Sequence, residues 1–445
     1  TLLGMRQFSP VIGCLAGLII TTCWRFAYLG SHARIDMLFT FFITLAFVAL
    51  WELTRNEKQD RWLKWLAGIA VGLAVLTKGP LGWLFPLLAM FIFSRISKTG
   101  PVPWSYLFWL PLGMAGLWLA FGLIDGGKEF STMIYQETLG RISGSETIQI
   151  HRKPVFYYIP QILGGMAPWS LFLPFAIWHG MKHRDIPWKF CAIALATLFI
   201  FLSLYPGKRG DYLLPLYPMG AIILAVFFAR FGSANSDINR GMSFPAWTIM
   251  GTMMVLALVL ILAALLPQLN FDSFSAFLNS RDRWMAQLLY DRHRPSGLLL
   301  AMGAWGMLIF SQYIREALNK FSGIKMTGLI AGWAFLLFLG IHGPAARIVN
   351  EHTSFRPFAE KIKQVAGNRP LLNYGKARED LRYYLDLPVK EVFSGSAFQE
   401  LSERHNAVLL IKKSQSQALL ENFPEQKIIL EMDAAFKPYQ LIGKP

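Results

Sequence analysis

The chain has 445 residues, of which 54% are hydrophobic and only 16% are charged. Soluble domains are about 45–50% apolar even when glycine is counted, so this composition, with a mean hydropathy of +0.39, indicates a polytopic membrane protein and excludes an ordinary soluble enzyme. The net charge of +16 suits basic loops that fix topology and meet anionic lipid headgroups. Nucleic acid is not expected as a partner, because no basic cluster lies in a soluble segment with interleaved aromatic residues.

The three cysteines, Cys14, Cys23 and Cys191, lie in apolar runs and are interpreted as small packing residues. The polar C-terminal part contains none. A disulfide framework and a cysteine-based zinc site are therefore excluded.

Length and apolarity predict about eleven membrane spans in a transmembrane domain at residues 1–345. The predicted spans lie at about residues 9–29, 37–54, 62–77, 80–94, 104–123, 155–178, 190–205, 212–230, 245–266, 298–313 and 326–343.

The basic residues of the loops predict the orientation of these spans, because cytoplasmic loops carry an excess of Lys and Arg. By this rule the loops near residues 55–64, 95–98, 182–189, 230–240 and 315–325 face the cytoplasm. The alternating loops and everything after Pro344 then face the periplasm. Several of these outer loops are basic too, which indicates either a reversed topology or an outer face that binds an anion.

From about residue 346 the pattern changes to that of a soluble domain, 346–445. Four short runs read as strands, and helical spacing lies between them. The strands are predicted at Leu371–Tyr374, Ala407–Ile411, Lys427–Leu430 and Pro438–Ile442. Strands that alternate with helices indicate a small α/β domain, and it contains neither a glycine-rich phosphate loop nor a nucleophile elbow.

Two short polar motifs lie at predicted span ends on the outer side. In His32-Ala33-Arg34-Ile35-Asp36, Arg34 and Asp36 form either an anchoring ion pair or part of a polar cavity. In such a cavity a carboxylate can hold a sugar hydroxyl or amine, or act as a base. Lys78, in Leu76-Thr77-Lys78-Gly79-Pro80, either extends to the surface or meets a phosphate.

The predicted outer loop 124–154 carries Glu137, Arg141 and His151 and precedes an aromatic run at the membrane boundary. Tyrosines in that zone are typical of the aromatic belt of a membrane protein. An acid, an imidazole and a guanidinium in one loop can also bind a metal ion or a phosphate. One Glu and one His do not make a metal signature, so both interpretations stay open.

A fourth motif runs from Tyr205 to Pro218 and contains Lys208, Arg209 and Tyr212. The two cations stand beside the membrane, where a headgroup phosphate would lie, and flanking glycines let the backbone approach closely. The alternative is a pair of cations that only reach from a span end to the lipid surface.

Read together and in order, these segments resemble the bacterial polyprenyl-phosphate sugar-dependent glycosyltransferases, which are relatives of the protein O-mannosyltransferases and include the lipid A aminoarabinose transferases. The resemblance covers about residues 1–345 and rests on five segments: Leu3 to Pro10, Ala33 to Met37, Leu76 to Pro80, His151 to Tyr158 and Lys208 to Pro215. It implies a membrane-embedded glycosyltransferase fold of type C, in the bacterial inner membrane, with a periplasmic C-terminal domain.

The resemblance also implies a reaction and roles for its residues. A sugar on a polyprenyl phosphate would be transferred at the periplasmic face to lipid A, another glycan or a protein. Asp36 would be a catalytic cavity carboxylate, and Arg34, Lys78 and Tyr212 would line the substrate site. Lys208, Arg209 and Arg141 would neutralise the leaving lipid phosphate. A divalent metal ion has a role in some family members, and here Glu137 and His151 are its candidate ligands.

One departure from the family pattern concerns the start of the chain. Family members begin with two further spans and a first outer loop, which carries an acidic residue proposed as catalytic. That carboxylate is expected to lie outside this sequence, and this stretch by itself is expected to be inactive.

Two other classes of function remain as alternatives. A transporter or lipid flippase needs polar residues in the middle of its spans, whereas the ionisable residues here concentrate at span ends. An assembly or sensor protein would use the C-terminal domain as its working part.

Overall fold

The computed structural model describes most of the chain. The described residues are 1–55, 60–135, 153–183, 185–205, 207–232, 236–265, 283, 297–367, 369–375, 377, 379–385, 389–395, 398–401, 406–434 and 437–444. They fall into two compact units, a helical one up to Leu339 and a smaller α/β one from Gly340.

The first part of the helical unit contains seven α-helices: α1 Leu2–Gln7, α2 Pro10–Thr21, α3 Trp24–Gly30, α4 Ile35–Arg55, α5 Arg61–Lys78, α6 Leu81–Ser97 and α7 Trp104–Tyr135. Their boundaries follow local chemistry. The Ser9 side chain accepts from the Ile12 amide at the start of α2, and the Asp60 side chain caps α5. Gly79, with φ of +66°, ends α5.

The described residues after Tyr135 and up to Thr353 form seven further helices: α8 Tyr158–Gly165, α9 Leu173–His183, α10 Ile186–Leu204, α11 Tyr217–Ala229, α12 Ser236–Leu265, α13 Gly297–Asn319 and α14 Gly323–Thr353. Short 3₁₀ turns at Val155–Tyr157, Trp169–Leu171 and Gly210–Leu216 connect some of them. The turn at Gly210–Leu216 packs beside α4 and leads directly into α11.

Six of the described helical stretches are long and apolar enough to cross a membrane, or seven if the bent pair α2 and α3 counts as one span. The prediction of a polytopic helical protein is confirmed at this level. Predicted spans 9–29 and 155–178 are each broken: α2 and α3 differ in direction by 73°, and the second region divides into α8, a 3₁₀ turn and α9. Pro168 lies in the break between α8 and α9, where a continuing helix would need the amide hydrogen that proline lacks, while Pro160 and Pro174 lie in the first turns of the two helices, where proline is tolerated.

One helix extends further than its sequence pattern predicted. We expected a span at 104–123 and then a loop, but α7 continues to Tyr135 across a kink at Gly127, whose φ is +50°. Its large apolar side chains, such as Trp109, Phe121 and Ile124, are exposed. An exposed apolar surface of this kind suits lipid as the solvent.

The core of the helical unit is built around the stretch Gly210–Ala229, which comprises the 3₁₀ turn and α11 and is 89% buried over its most apolar part. The large rings of Trp169 and Phe172 pack against Phe228 of α11. This buried helix begins at the 3₁₀ turn that carries Tyr212, so the core fixes the position of that turn.

The second unit holds a five-stranded mixed sheet in the order β2-β1-β3-β5-β4. Its elements are the helices α15 Arg356–Ala366, α16 Glu379–Leu385 and α17 Lys413–Asn422 and the strands β1 Leu371–Tyr374, β2 Val389–Val392, β3 Val408–Lys412, β4 Lys427–Ala434 and β5 Lys437–Gly443. Strand β1 pairs in parallel with β2 and β3, while β5 pairs antiparallel with β3 and β4. The predicted small α/β domain is present, with β2 and α15 in addition to the expected elements.

Candidate active site

Asp36 and Lys78, which are 42 residues apart in sequence, form an ion pair between their side chains. Asp36 lies in the first turn of α4, and Lys78 is the last residue of α5. The side chains are only 11% and 15% exposed, respectively. A charged side chain in apolar surroundings is costly unless it is paired, so each residue supplies the counterion that the other needs.

Two aromatic rings enclose the Lys78 ammonium. Its Nζ lies 5.3 Å from the ring centroid of Phe39 and 4.5 Å from that of Tyr212. Both distances allow a cation–π attraction. The structure therefore brings together Asp36, Lys78 and Tyr212, three of the residues that the sequence predicted for a substrate site.

Lys208 is the most deeply buried of the predicted cations, at 3% exposed. Its Nζ donates hydrogen bonds to the backbone carbonyls of Tyr205, at 2.6 Å, and Lys153, at 3.1 Å. Lys208 thereby ties the end of α10 to the segment before α8. The neighbouring Arg209 is exposed, and so is Arg34, two residues before Asp36.

Three of the predicted site residues belong to the outer loop 124–154. Glu137, Arg141 and His151 lie outside the described residues. Within the described part of the chain, no group of three His, Cys, Asp or Glu side chains is placed to hold a metal ion.

Arg25, on α3, is a member of this region that the motif analysis missed. Its Nη2 donates to Gln161 Oε1 on α8 at 2.7 Å, and its Nη1 lies 3.7 Å from a carboxylate oxygen of Asp211. Arg25 is the one Lys, Arg, Asp or Glu in the apolar run 9–29. An ionisable residue inside a span is by default a candidate for function, and this signal could have identified it.

Two glycines make room for the Arg25 guanidinium. A Cβ added at Gly210 would lie 1.7 Å from Arg25 Nη1 and 2.6 Å from Gln161 Oε1. A Cβ added at Gly165 would lie 3.0 Å from Arg25 Nε. Because Gly210 immediately follows Arg209 and lies two residues before Tyr212, the fit of Arg25 helps to position the segment that carries both.

These contacts join the start of α4, the end of α5 and the connection between α10 and α11 at one end of the helical unit. The acidic and basic groups of this site can bind different parts of a substrate. The Asp36 carboxylate can accept hydrogen bonds from a hydroxyl or amine, and the Lys78 ammonium can pair with an anion in place of Asp36. Exposed Arg209 and Arg34 add positive charge nearby, which suits a substrate that carries a phosphate.

This chain is similar to several known proteins. The model of the dolichyl-phosphate-mannose-protein mannosyltransferase family matches residues 1–124. An undecaprenyl phosphate-alpha-4-amino-4-deoxy-L-arabinose arabinosyl transferase of Pseudomonas aeruginosa is 27% identical over 356 residues, which cover 77% of this chain and 59% of that protein. The protein of the same description from Erwinia tasmaniensis is 28% identical over 271 residues, covering 56% of this chain and 46% of that protein.

The same type of fold occurs in ArnT from Cupriavidus metallidurans. Its crystal structure bound to undecaprenyl phosphate matches with a TM-score of 0.73 and its apo structure with 0.70. Each match has 17% identity and covers 99% of this chain and 80% of the other. The chain spans 59% of the length of the Pseudomonas relative. The resemblance predicted from the motifs is confirmed: this chain is similar to the bacterial polyprenyl-phosphate sugar-dependent glycosyltransferases and has the fold of ArnT.

Proposed function

We propose that this protein is an integral-membrane glycosyltransferase that transfers a sugar from a polyprenyl-phosphate donor to lipid A, another glycan or a protein. The similarity to aminoarabinose transferases favours an aminoarabinose donor and lipid A as acceptor among these. The observation that carries the proposal is the shielded Asp36–Lys78 pair beside Tyr212, since three family motifs that are distant in sequence meet there.

The proposed reaction is a displacement at the anomeric carbon of the donor sugar. An acceptor hydroxyl or phosphate oxygen forms the new bond to this carbon, while the bond to the oxygen of the lipid phosphate breaks and its electron pair leaves with the phosphate. A base takes the proton of a hydroxyl acceptor. Cations that face the departing phosphate stabilise the charge that it gains.

The residues of the site divide these tasks in the proposal. Asp36 accepts hydrogen bonds from the donor sugar and holds it in place, and Lys78 sets the orientation of the carboxylate. Arg209, exposed beside the site, meets the lipid phosphate together with Arg141, and the buried Lys208 adds its positive charge from within the protein. The exposed Arg34 completes the positive rim of the substrate site.

The membrane arrangement forms part of the proposal. We infer about eleven spans in the bacterial inner membrane, with residues 1–345 as the transmembrane domain and 346–445 as a periplasmic domain. Single cysteines introduced near residues 210 and 400 should react with an impermeant reagent added outside the membrane, and cysteines near 58 and 184 should not. Labelling near 400 from the cytoplasm alone would reverse the orientation.

A divalent metal ion also belongs to the proposal, with Glu137 and His151 as its candidate ligands. Support comes only from the family resemblance and from the chemistry of a carboxylate and an imidazole, which are both common metal ligands. We assign no reaction step to this ion.

The direct test is a transfer assay with the full-length protein in proteoliposomes, polyprenyl-phosphate-linked aminoarabinose as donor and lipid A as acceptor. Mass spectrometry should detect the added sugar on lipid A, and the Asp36→Asn variant should lose nearly all of it. Asp60→Asn is the matched control, because Asp60 caps the other end of α5 and should leave transfer unchanged. Movement of the lipid donor across the bilayer with no sugar transfer would instead support a flippase.

A further inference from the structure

A cavity of about 400 Å³ lies within the second unit, at the carboxyl ends of the parallel strands β1 and β3. This volume is within the range of small-molecule sites, roughly 300–1,000 Å³. The side chains and backbone that the argument uses are Asn373, Tyr374, Gly375, Lys412, Gln415 and Tyr439.

The topology of the sheet explains why the cavity lies at this place. From β1 the chain passes through α16 to β2 on one side, whereas β3, on the other side of β1, continues towards β5 and β4. Connections that leave neighbouring parallel strands in opposite directions open a crevice at their carboxyl ends. In open α/β sheets, ligands bind at such a switch point.

Gly375, directly after β1, forms part of the floor of the cavity. Gly375 adopts a φ of +80°, a conformation that side-chain-bearing residues rarely take, and its amide donates to the Val392 carbonyl at 2.7 Å. The side chain of Asn373, a residue that is 6% exposed, donates a hydrogen bond from Nδ2 to the Gly375 carbonyl at 2.9 Å. A Cβ added at Gly375 would meet no atom within 4 Å, so the space above this loop is open.

The polar groups of the cavity wall are available to a ligand. The side chains of Lys412 and Gln415 are exposed, and neither side chain forms a hydrogen bond or ion pair with another described residue. The adjacent Lys413, by contrast, is paired with Glu431. No Asp or Glu is among the described residues that line the cavity, so Lys412 gives it a positive charge.

Aromatic rings supply the apolar part of the wall. Tyr374 is half-buried at the end of β1, and Tyr439 lies across the cavity on β5, opposite Lys412 in the strand register. Phe355 packs edge-on against Tyr439 with ring centroids 5.8 Å apart, which holds the tyrosine ring in place.

We propose that this cavity binds a phosphorylated saccharide, either free or as the headgroup of a glycolipid. The tyrosine rings would contact the apolar face of the sugar, Gln415 would hydrogen-bond its hydroxyls, and the Lys412 ammonium would pair with the phosphate. The site is separate from the Asp36–Lys78 pair and does not depend on the proposed transfer reaction.

The test measures binding of glucosamine 1-phosphate to the full-length protein in nanodiscs by saturation-transfer NMR and calorimetry. Lys412→Ala should weaken the affinity about three- to tenfold, since the ammonium is solvent-exposed and its contact is partly screened. Gln415→Ala should weaken it by about threefold or more. Lys413→Ala and Gln417→Ala, on α17 but outside the cavity wall, are the matched controls and should keep the wild-type affinity.

A second arm distinguishes the source of the ligand. Lipid A incorporated in the nanodiscs should compete with glucosamine 1-phosphate if the ligand is a glycolipid headgroup, and should not compete if it is a free sugar phosphate. Either result, with loss on Lys412→Ala, supports the site. No saturable binding up to about 10 mM, or equal weakening by Lys412→Ala and Lys413→Ala, would overturn the proposal. Sugar transfer is measured separately with Asp36→Asn, so failure of one proposal leaves the other standing.

Discussion

Replacement of Asp36 by Asn would leave the Lys78 ammonium without its counterion in a site where only 15% of the lysine side chain is exposed. Breaking a buried ion pair by removing one partner costs about 3–5 kcal/mol. The rings of Phe39 and Tyr212 remain beside the ammonium, and cation–π contacts offset about 1–2 kcal/mol of this cost. We therefore expect Asp36→Asn to lower the free energy of unfolding by about 1–4 kcal/mol.

The double variant Asp36→Asn/Lys78→Gln separates the stability of the pair from its role in the reaction. It removes both charges and keeps side chains of similar size, so its stability should return to within about 1 kcal/mol of the wild type. Sugar transfer should remain lost, because no carboxylate is left to hold the donor. Loss of a general base or a positioning carboxylate costs roughly a hundredfold or more in rate.

Each variant is tested by two measurements, which are unfolding of the purified protein in mild detergent and sugar transfer in proteoliposomes. Glu316→Gln is the control, since Glu316, on α13, forms only an exposed pair with Lys320, whose loss should leave stability nearly unchanged. If the double variant regains transfer within a few-fold of the wild type as it regains stability, Asp36 and Lys78 only hold α4 to α5. The proposed catalytic role would then be wrong.

Three further predictions concern the lipid phosphate, the packing of Arg25 and the metal ion. Arg209→Ala should weaken donor affinity about tenfold with little change in stability, because Arg209 is exposed. Lys208→Ala should also destabilise the protein by about 2–3 kcal/mol, because two hydrogen bonds to backbone carbonyls are lost. If both variants bind the donor as tightly as the wild type does, these two cations have only a structural role. Gly210→Ala should reduce transfer because its Cβ would lie 1.7 Å from Arg25 Nη1, and combining it with Arg25→Ala should recover stability but not transfer; a fully active Gly210→Ala variant would contradict this fit. Removal of divalent ions with EDTA should lower transfer, and readdition should restore it, whereas unchanged turnover after chelation would remove the metal from the proposal.

Local sequence patterns predicted those elements whose secondary structure depends mainly on their own residues. Apolar runs predicted helices over most of the transmembrane domain, and the change of pattern near residue 346 predicted the α/β domain. Two elements of that domain were missed. Helix α15 had a signal in the sequence, because Phe358, Ala359, Ile362 and Ala366 have the spacing of one helical face. Strand β2 is a run of only four residues, which is too short to show a clear pattern.

Bends within a span, and the residue at which a span ends, were harder to predict from apolarity. Hydropathy does not register a change of chain direction inside an apolar run, so the bend between α2 and α3 and the kink of α7 at Gly127 were not foreseen. Both depend on backbone angles at a few residues rather than on average composition.

Composition alone determined that this protein is built for a lipid solvent, because apolar residues exceed what a soluble surface tolerates. The ordered motifs determined its resemblance to polyprenyl-phosphate glycosyltransferases. Only the tertiary structure decided that Lys78 pairs with Asp36 under the ring of Tyr212, and that Arg25 fits between Gly165 and Gly210. These contacts join residues that are distant in the chain, and their geometry depends on how helices pack, which no local pattern of hydropathy or charge records.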